Sequence, residues 1–182
     1  LRRMPNRGTE PEAYLTYLVD HYDDLPDKVI FLQAEESELF LPAERVLEYV
    51  RPFRFAALSG VVRKWWGKKP GFNDEASPTD AWLRAAFPAF VNKTLRPKRK
   101  WLASWRGMFA VDRATLRANP RALYASALAM HRSLWGKKIA HVLEVLWSSQ
   151  FFGCDRARAR HVHASAGYRW QYPKRGDGEL CC

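Results

Sequence analysis

Long apolar runs are missing from this chain. Nowhere do about 18 apolar residues follow one another, so no segment of it reads as a membrane-spanning helix. Cysteine is scarce too. The three are Cys154, Cys181 and Cys182, and an odd count with two neighbours argues against a closed disulfide framework. No Cys-x-x-Cys pair supports structural zinc. The chain also lacks a Gly-x-Ser-x-Gly element and a Gly-x-x-x-x-Gly-Lys phosphate loop, which removes two common signatures of nucleophilic and nucleotide chemistry. It shows no internal repeat, no low-complexity block and no signal-peptide pattern. Because the chain opens at Leu1 rather than Met, that last absence leaves its compartment open. Acidic residues are the minority, 19 against 30 Lys plus Arg, for a formal net charge of +11. That balance favours polyanionic partners: nucleic acid, phosphorylated small molecules or anionic lipid.

What is present is enough for a core. Hydrophobic residues make up 47% of 182, and eight Trp and ten Phe supply large rings, so a single folded domain is expected. Thr9 is placed to N-cap a first helix, with Pro11 in the first turn and Glu12 completing a capping box. Tyr14, Leu15, Leu18, Val19 and Tyr22 then share one apolar face. "KVIFLQ" follows, β-branched and apolar on both faces, as in a central strand covered on two sides. Helix then buried strand is the grammar of an α/β domain. A short helix is expected in "PAERVLEYV", with Val46, Leu47 and Val50 on one side. Residues 51–78 are weakly periodic and read as a long ordered loop. Ser77, Pro78 and Asp80 start another helix, carrying Trp82, Leu83 and Phe87. Gly107 leads into a short strand, Met108 to Val111. Asn119 and Pro120 open a helix with Leu123, Tyr124, Ala127, Leu128 and Met130 to bury. A last helix carries Ile139, Val142, Leu143, Leu146 and Trp147. In the tail, His161 and His163 suit a strand, and residues from Gly176 on are expected to fray.

These segments together resemble domain-of-unknown-function family 3431. "PNRGTEPEAYLTYLVDHYDDLPDKVIFLQ" is similar to its opening, through Asn6, Gly8, Glu10, Tyr14, Leu15, Tyr22, Asp23, Leu25, Pro26, Asp27, Phe31, Leu32 and Gln33. "GMFAVDRATLRANPRALYASAL" and "HVLEVLWSSQFFG" resemble its later strand, turn and helices. Thr9 stands where the family has Arg, and Ala34 where it has Gly. Through this family the chain is distantly similar to glycosyltransferases of the GT-A type, on "VIFLQAE", "RGMFAVDR" and "HVLEVLW" in that order. The resemblance implies an α/β fold with a small mixed sheet flanked by helices. It further implies a GT-A-like fold cut at its N-terminus, since a strand and loop normally precede the Asn-x-Gly motif. The domain would occupy residues 1–153, with residues 154–182 a basic, partly flexible extension.

The implied activity is transfer of a sugar from a nucleotide-sugar donor to an unknown acceptor. Glu35 and Glu36 would hold Mg²⁺ or Mn²⁺, although Gln33-Ala34-Glu35 is not Asp-x-Asp. Glu144 would be the general base. Asn6, Arg7, Gly8, Glu10, Gln33, Arg106 and Arg113 would contact the donor, and Trp65, Trp66 and His141 would form the acceptor or sugar platform. Each feature has a plainer reading beside it. The acidic run suits an exposed loop, Glu144 a salt bridge, and the Asn6 segment a capped turn. A zinc pair of His141 and Glu144 lacks a third ligand. The two basic, ring-rich stretches, Arg63 to Lys69 and Arg96 to Trp101, suit a solvated face or a nucleic-acid surface as well as a saccharide platform. The alternatives carried forward are a basic nucleic-acid-binding module and a glycosyltransferase-like domain without catalysis.

Overall fold

A computed structural model of the chain describes residues 9–33, 42–58, 61–65, 78–87, 100–104, 107–133, 137–147, 151–152, 160–162 and 179–181. In chain order the helices are α1 (Glu10–Asp20), α2 (Ala43–Val50), α3 (Pro78–Ala86), α4 (Arg113–Arg117), α5 (Arg121–Ser133) and α6 (Lys137–Leu146). The strands are β1 (Lys28–Phe31), β2 (Phe55–Ala57), β3 (Val61–Trp65), β4 (Lys100–Ser104), β5 (Phe109–Asp112), β6 (Arg160–Val162) and β7 (Glu179–Cys181).

The main sheet has the order β1-β5-β2-β7-β6, and β3 pairs with β4 separately. Every described pair is antiparallel. The α/β class therefore holds, but the sheet is antiparallel rather than mixed. β1 lies at its edge rather than its centre. Both faces of β1 are nonetheless covered, which is why its sequence reads apolar throughout. Val29 and Phe31 enter one buried cluster, while Ile30 packs on the other.

Period-two alternation sorts the inner strands in the same way. Phe109 and Val111 of β5, with Phe55 and Ala57 of β2, face the larger cluster. Ala110 and Ala56 face the smaller one, opposite each other in register, with Met108 and Leu58 beside them. Against these small side chains lies α2, through Val46 and Val50. The larger face carries α1, α3, α5 and α6. Its centre is aromatic: Phe109 lies 5.0 Å from Phe31, 5.5 Å from Phe55, 5.6 Å from Trp147 and 5.3 Å from Phe152 between ring centroids. Rings at these spacings bury large apolar areas and add edge and offset contacts.

The helices pack through the faces their periodicity marks. Tyr14, Leu15 and Leu18 of α1, and Tyr124, Ala127, Leu128 and Met130 of α5, are buried. Across the α1–α5 seam, Arg132 Nε donates to Glu12 Oε1 at 3.0 Å. Thr9 is the N-cap position of α1, but its hydroxyl lies 3.3 Å from His131 Nε2 and makes no cap bond. The expected capping box is thus redirected: both of its side chains tie α1 to α5. Asn119 also departs from its expected capping role, its amide donating to the Phe151 carbonyl and to Tyr124 Oη. Leu47 of α2 is 67% exposed, against its expected place on the buried side.

The expected loop over residues 51–78 contains β2 and β3. β2 was hidden because Phe55, Ala56 and Ala57 are all buried, so no alternation of apolar and polar residues marks it. β3 rests on Val61, Val62 and Trp65, residue types that suit a pleated surface. Downstream, Arg160–Val162 and Glu179–Cys181 pair with each other, and Cys181 pairs with Ala56 of β2, so the tail adds to the main sheet. Among the described residues, no helix is long and apolar enough to cross a membrane.

Candidate functional site

The register fixes two ends of the sheet. Phe31 of β1 stands opposite Phe109 of β5, and Ala57 of β2 opposite the same residue, so the end of β1, the start of β5 and the end of β2 coincide. Gly107, just before β5, has φ +66°, a left-handed conformation that only glycine adopts without strain. Gln33, just beyond β1, is half-buried at this same end.

Two helices bring polar groups here. From α1, Tyr14 lays its ring 4.6 Å from Phe31 and meets Phe109 edge-on at 6.0 Å. Its hydroxyl is buried and has no hydrogen-bond partner among the described residues. Burial, reinforced by the carboxylate of Glu10 one turn earlier, pushes the phenol pKa up. At the end of α6, Trp147 is fully buried, and its Cδ1 and Nε1 lie 3.9 Å from where a side chain on Gly107 would begin. The indole N–H likewise has no partner among the described residues. The Phe152 amide donates to the Trp147 carbonyl at 3.1 Å, an i+5 bond that widens the turn as a π-bulge does.

Glu144 lies one helical turn before Trp147 and is only 8% exposed. A carboxylate this deep in an otherwise apolar face carries a large desolvation cost unless its environment compensates for it. Near the start of α1, His131 is buried with Nε2 toward Thr9 and with no partner for Nδ1 among the described residues. Burial lowers its pKa.

Of the residues singled out from sequence, Gln33, Glu10 and Glu144 belong to this end or the helices that close it. Arg113 does not. It follows β5 at the opposite end, where its Nη2 lies 2.6 Å from Asp27 Oδ1 and its amide donates to the Asp27 carbonyl at 3.0 Å. Asn6, Arg7, Gly8, Glu35, Glu36, Trp66 and Arg106 lie outside the described residues. Trp65 and His141 are described as backbone only, in β3 and α6. Among the described residues, no group of three or more His, Cys, Asp or Glu could hold a metal ion.

A second feature concerns the basic, ring-rich stretches. β3 and β4 join them: Lys64 pairs with Trp101, Trp65 with Lys100, and Arg63 with Leu102. The described parts of the two stretches, residues 63–65 and 100–101, thus lie in one two-stranded sheet.

Residues 1–50 match the family described as Protein of unknown function (DUF3431). The matched segment carries α1 and β1, which border the candidate site, and α2 on the other face of the sheet. No curated protein and no solved structure matches the chain.

Tyr14, Gly107, Trp147 and His131 escaped sequence reasoning as site residues. Each reads as core or turn on its own. One signal was available: the Glu-x-x-Trp spacing places Trp147 on the same helical face as the chosen Glu144.

Proposed function

We propose that the Gln33–Gly107–Glu144 end of the sheet is a small-molecule site, and that its ligand is a nucleotide sugar handled by glycosyltransferase-like chemistry. The observation that carries this reading is the buried Glu144, one turn before an indole N–H without a described partner, packed against a left-handed glycine at a strand end. Binding sites of this kind combine an apolar, aromatic wall with a few convergent polar groups. Glu144 serves as the general base that takes a proton from the acceptor hydroxyl. Trp147 Nε1 and the Tyr14 hydroxyl are donors for ligand oxygens, which would complete two hydrogen-bonding groups otherwise left costly.

Also in support, the described neighbours of the acidic run and of the Asn-x-Gly motif are Gln33 and Thr9, at the strand end and the helix start that border this region. Glu35 and Glu36 would hold Mg²⁺ or Mn²⁺, which when bound offsets the charge of a departing diphosphate. Gln33 is a neutral and weak ligand for such an ion, so the carboxylates beyond it would carry that role.

The test is thermal stabilisation by a panel of nucleotide sugars, with and without Mn²⁺. Stabilisation that falls in Glu144→Gln and Trp147→Phe supports the site; a shift of equal size in both variants overturns it. Binding without sugar transfer would leave the fold as an inactive relative. A second reading has its own observation, the β3–β4 pairing that joins two basic, ring-rich stretches. It makes the chain a nucleic-acid-binding module, and it predicts salt-sensitive binding of single-stranded RNA that Lys64→Glu weakens.

A further inference from the structure

At the opposite end of the sheet lies a groove of about 520 Å³, within the usual range for ligand sites. Its apolar strip is Leu47 of α2 with Phe53 beyond it, over the buried Val50, and its cations are Lys28, Arg51 and Arg54. Among the described large apolar residues Leu47 is the most exposed, at 67%. Single exposed leucines need no explanation, but one on the lip of a groove beside further apolar side chains is a recognition feature.

The charges on the groove are unevenly compensated. Asp27 is already paired with Arg113. Asp112 accepts the Thr115 amide at 2.7 Å, and Lys28 donates to the Phe53 carbonyl. Arg54 reaches only the hydroxyl of Thr115, at 3.4 Å through Nε. Neither Arg51 nor Arg54 has a carboxylate partner among the described residues. Both carboxylates of the groove are therefore occupied, while two exposed guanidinium groups flank an apolar strip. Guanidinium forks in that arrangement favour carboxylates presented beside a hydrophobic side chain.

We infer that this groove docks an acidic peptide segment of a partner protein, which seats an aliphatic or aromatic side chain on Leu47 and Phe53 and its carboxylates on Arg51 and Arg54. The net charge of +11 draws such a segment in at long range. The docking surface is separate from the Gln33–Gly107–Glu144 end, since it sits where β1 begins and β5 finishes.

The experiment is fluorescence anisotropy of the full chain with a fluorescein-labelled acidic peptide built around a Leu-Phe pair. Saturable binding is expected, weakened about tenfold or more by Arg51→Glu and by Leu47→Glu, and weakened by added salt. Both positions are exposed, so melting curves of the variants confirm that the fold is intact. Glu144→Gln should bind the peptide as wild type does. Equal binding of a basic peptide, or affinity unchanged in both groove variants, overturns the proposal. So does capture of decanoate at Leu47 with no binding of the acidic peptide, which would make the groove a site for small amphiphiles.

Discussion

Replacing Tyr14 by Phe separates a structural residue from a binding residue. The ring of Tyr14 packs on Phe31 and Phe109, and Phe keeps those contacts. Only the hydroxyl is lost, and it is buried without a partner among the described residues. An unsatisfied buried polar group costs about 1–3 kcal/mol. Removing it should therefore stabilise the fold by an amount in that range. For a chain of this length each kcal/mol moves Tm by about 2–4 °C, so Tyr14→Phe should melt roughly 2–12 °C higher. Alkaline pH gives a second readout. The folded phenol pKa lies above its ordinary value of about 10, so the unfolded state loses its proton first. Stability held below pH ~10 is then lost as pH rises further, and the variant should lack the Tyr14 share of that loss. Tyr124, raised in the same direction by burial, remains to supply its own share. Differential scanning calorimetry at pH 7 and pH 10.5 measures both effects. A lower Tm in Tyr14→Phe at pH 7 would refute the reasoning, because it would mean the hydroxyl is already satisfied. If the hydroxyl is a ligand donor, the stabilised variant also binds nucleotide sugar more weakly.

Other changes have clear signs. Gly107→Ala meets Trp147 only at ordinary contact distance, so its cost is the left-handed backbone, about 1–2 kcal/mol, read from urea midpoints. A neutral midpoint would mean that φ is not held at +66° in solution. Asp112→Ala removes the acceptor for the Thr115 amide at the start of α4 and should cost about 0.5–2 kcal/mol. His131, with its pKa lowered by burial, contributes stability that is present above pH ~6.5 and lost as pH falls below it. His131→Leu should flatten the acid side of the stability profile between pH 7 and 5, and an unchanged slope would count against a neutral buried imidazole.

The helices were the most legible part of the chain. In α1, α5 and α6 the buried residues recur at 3.6-residue spacing, and the same positions fill the core. β1 and β5 were legible as apolar runs. The place of β1 at the sheet edge was not, because apolar faces record burial and say nothing about which backbone groups find partners. β2 escaped because its Phe and two Ala are buried on both faces. The polar half of the candidate site was visible only in part. Glu144 was singled out through the resemblance, as a carboxylate one turn from His141, whereas Tyr14 and Trp147 looked like any core ring. Their significance lies in atoms left without partners, which depends on how three elements meet around Phe109. Arg113 shows the converse. The resemblance implied a donor contact for it, and the four residues of β5 set it at the other end of the sheet, beside Asp27.

The most direct test of the ligand's location is the indole N–H resonance of Trp147 in ¹⁵N-labelled protein, assigned by Trp147→Phe and followed during titration with the stabilising nucleotide sugar. A ligand at the Gln33–Gly107–Glu144 end predicts a large, saturable shift of that resonance, while Trp82, hydrogen-bonded to Ser126 of α5, stays in place. A Trp147 resonance that does not move at saturation, with the shifts confined to other tryptophans, would contradict the assignment of this end as the site.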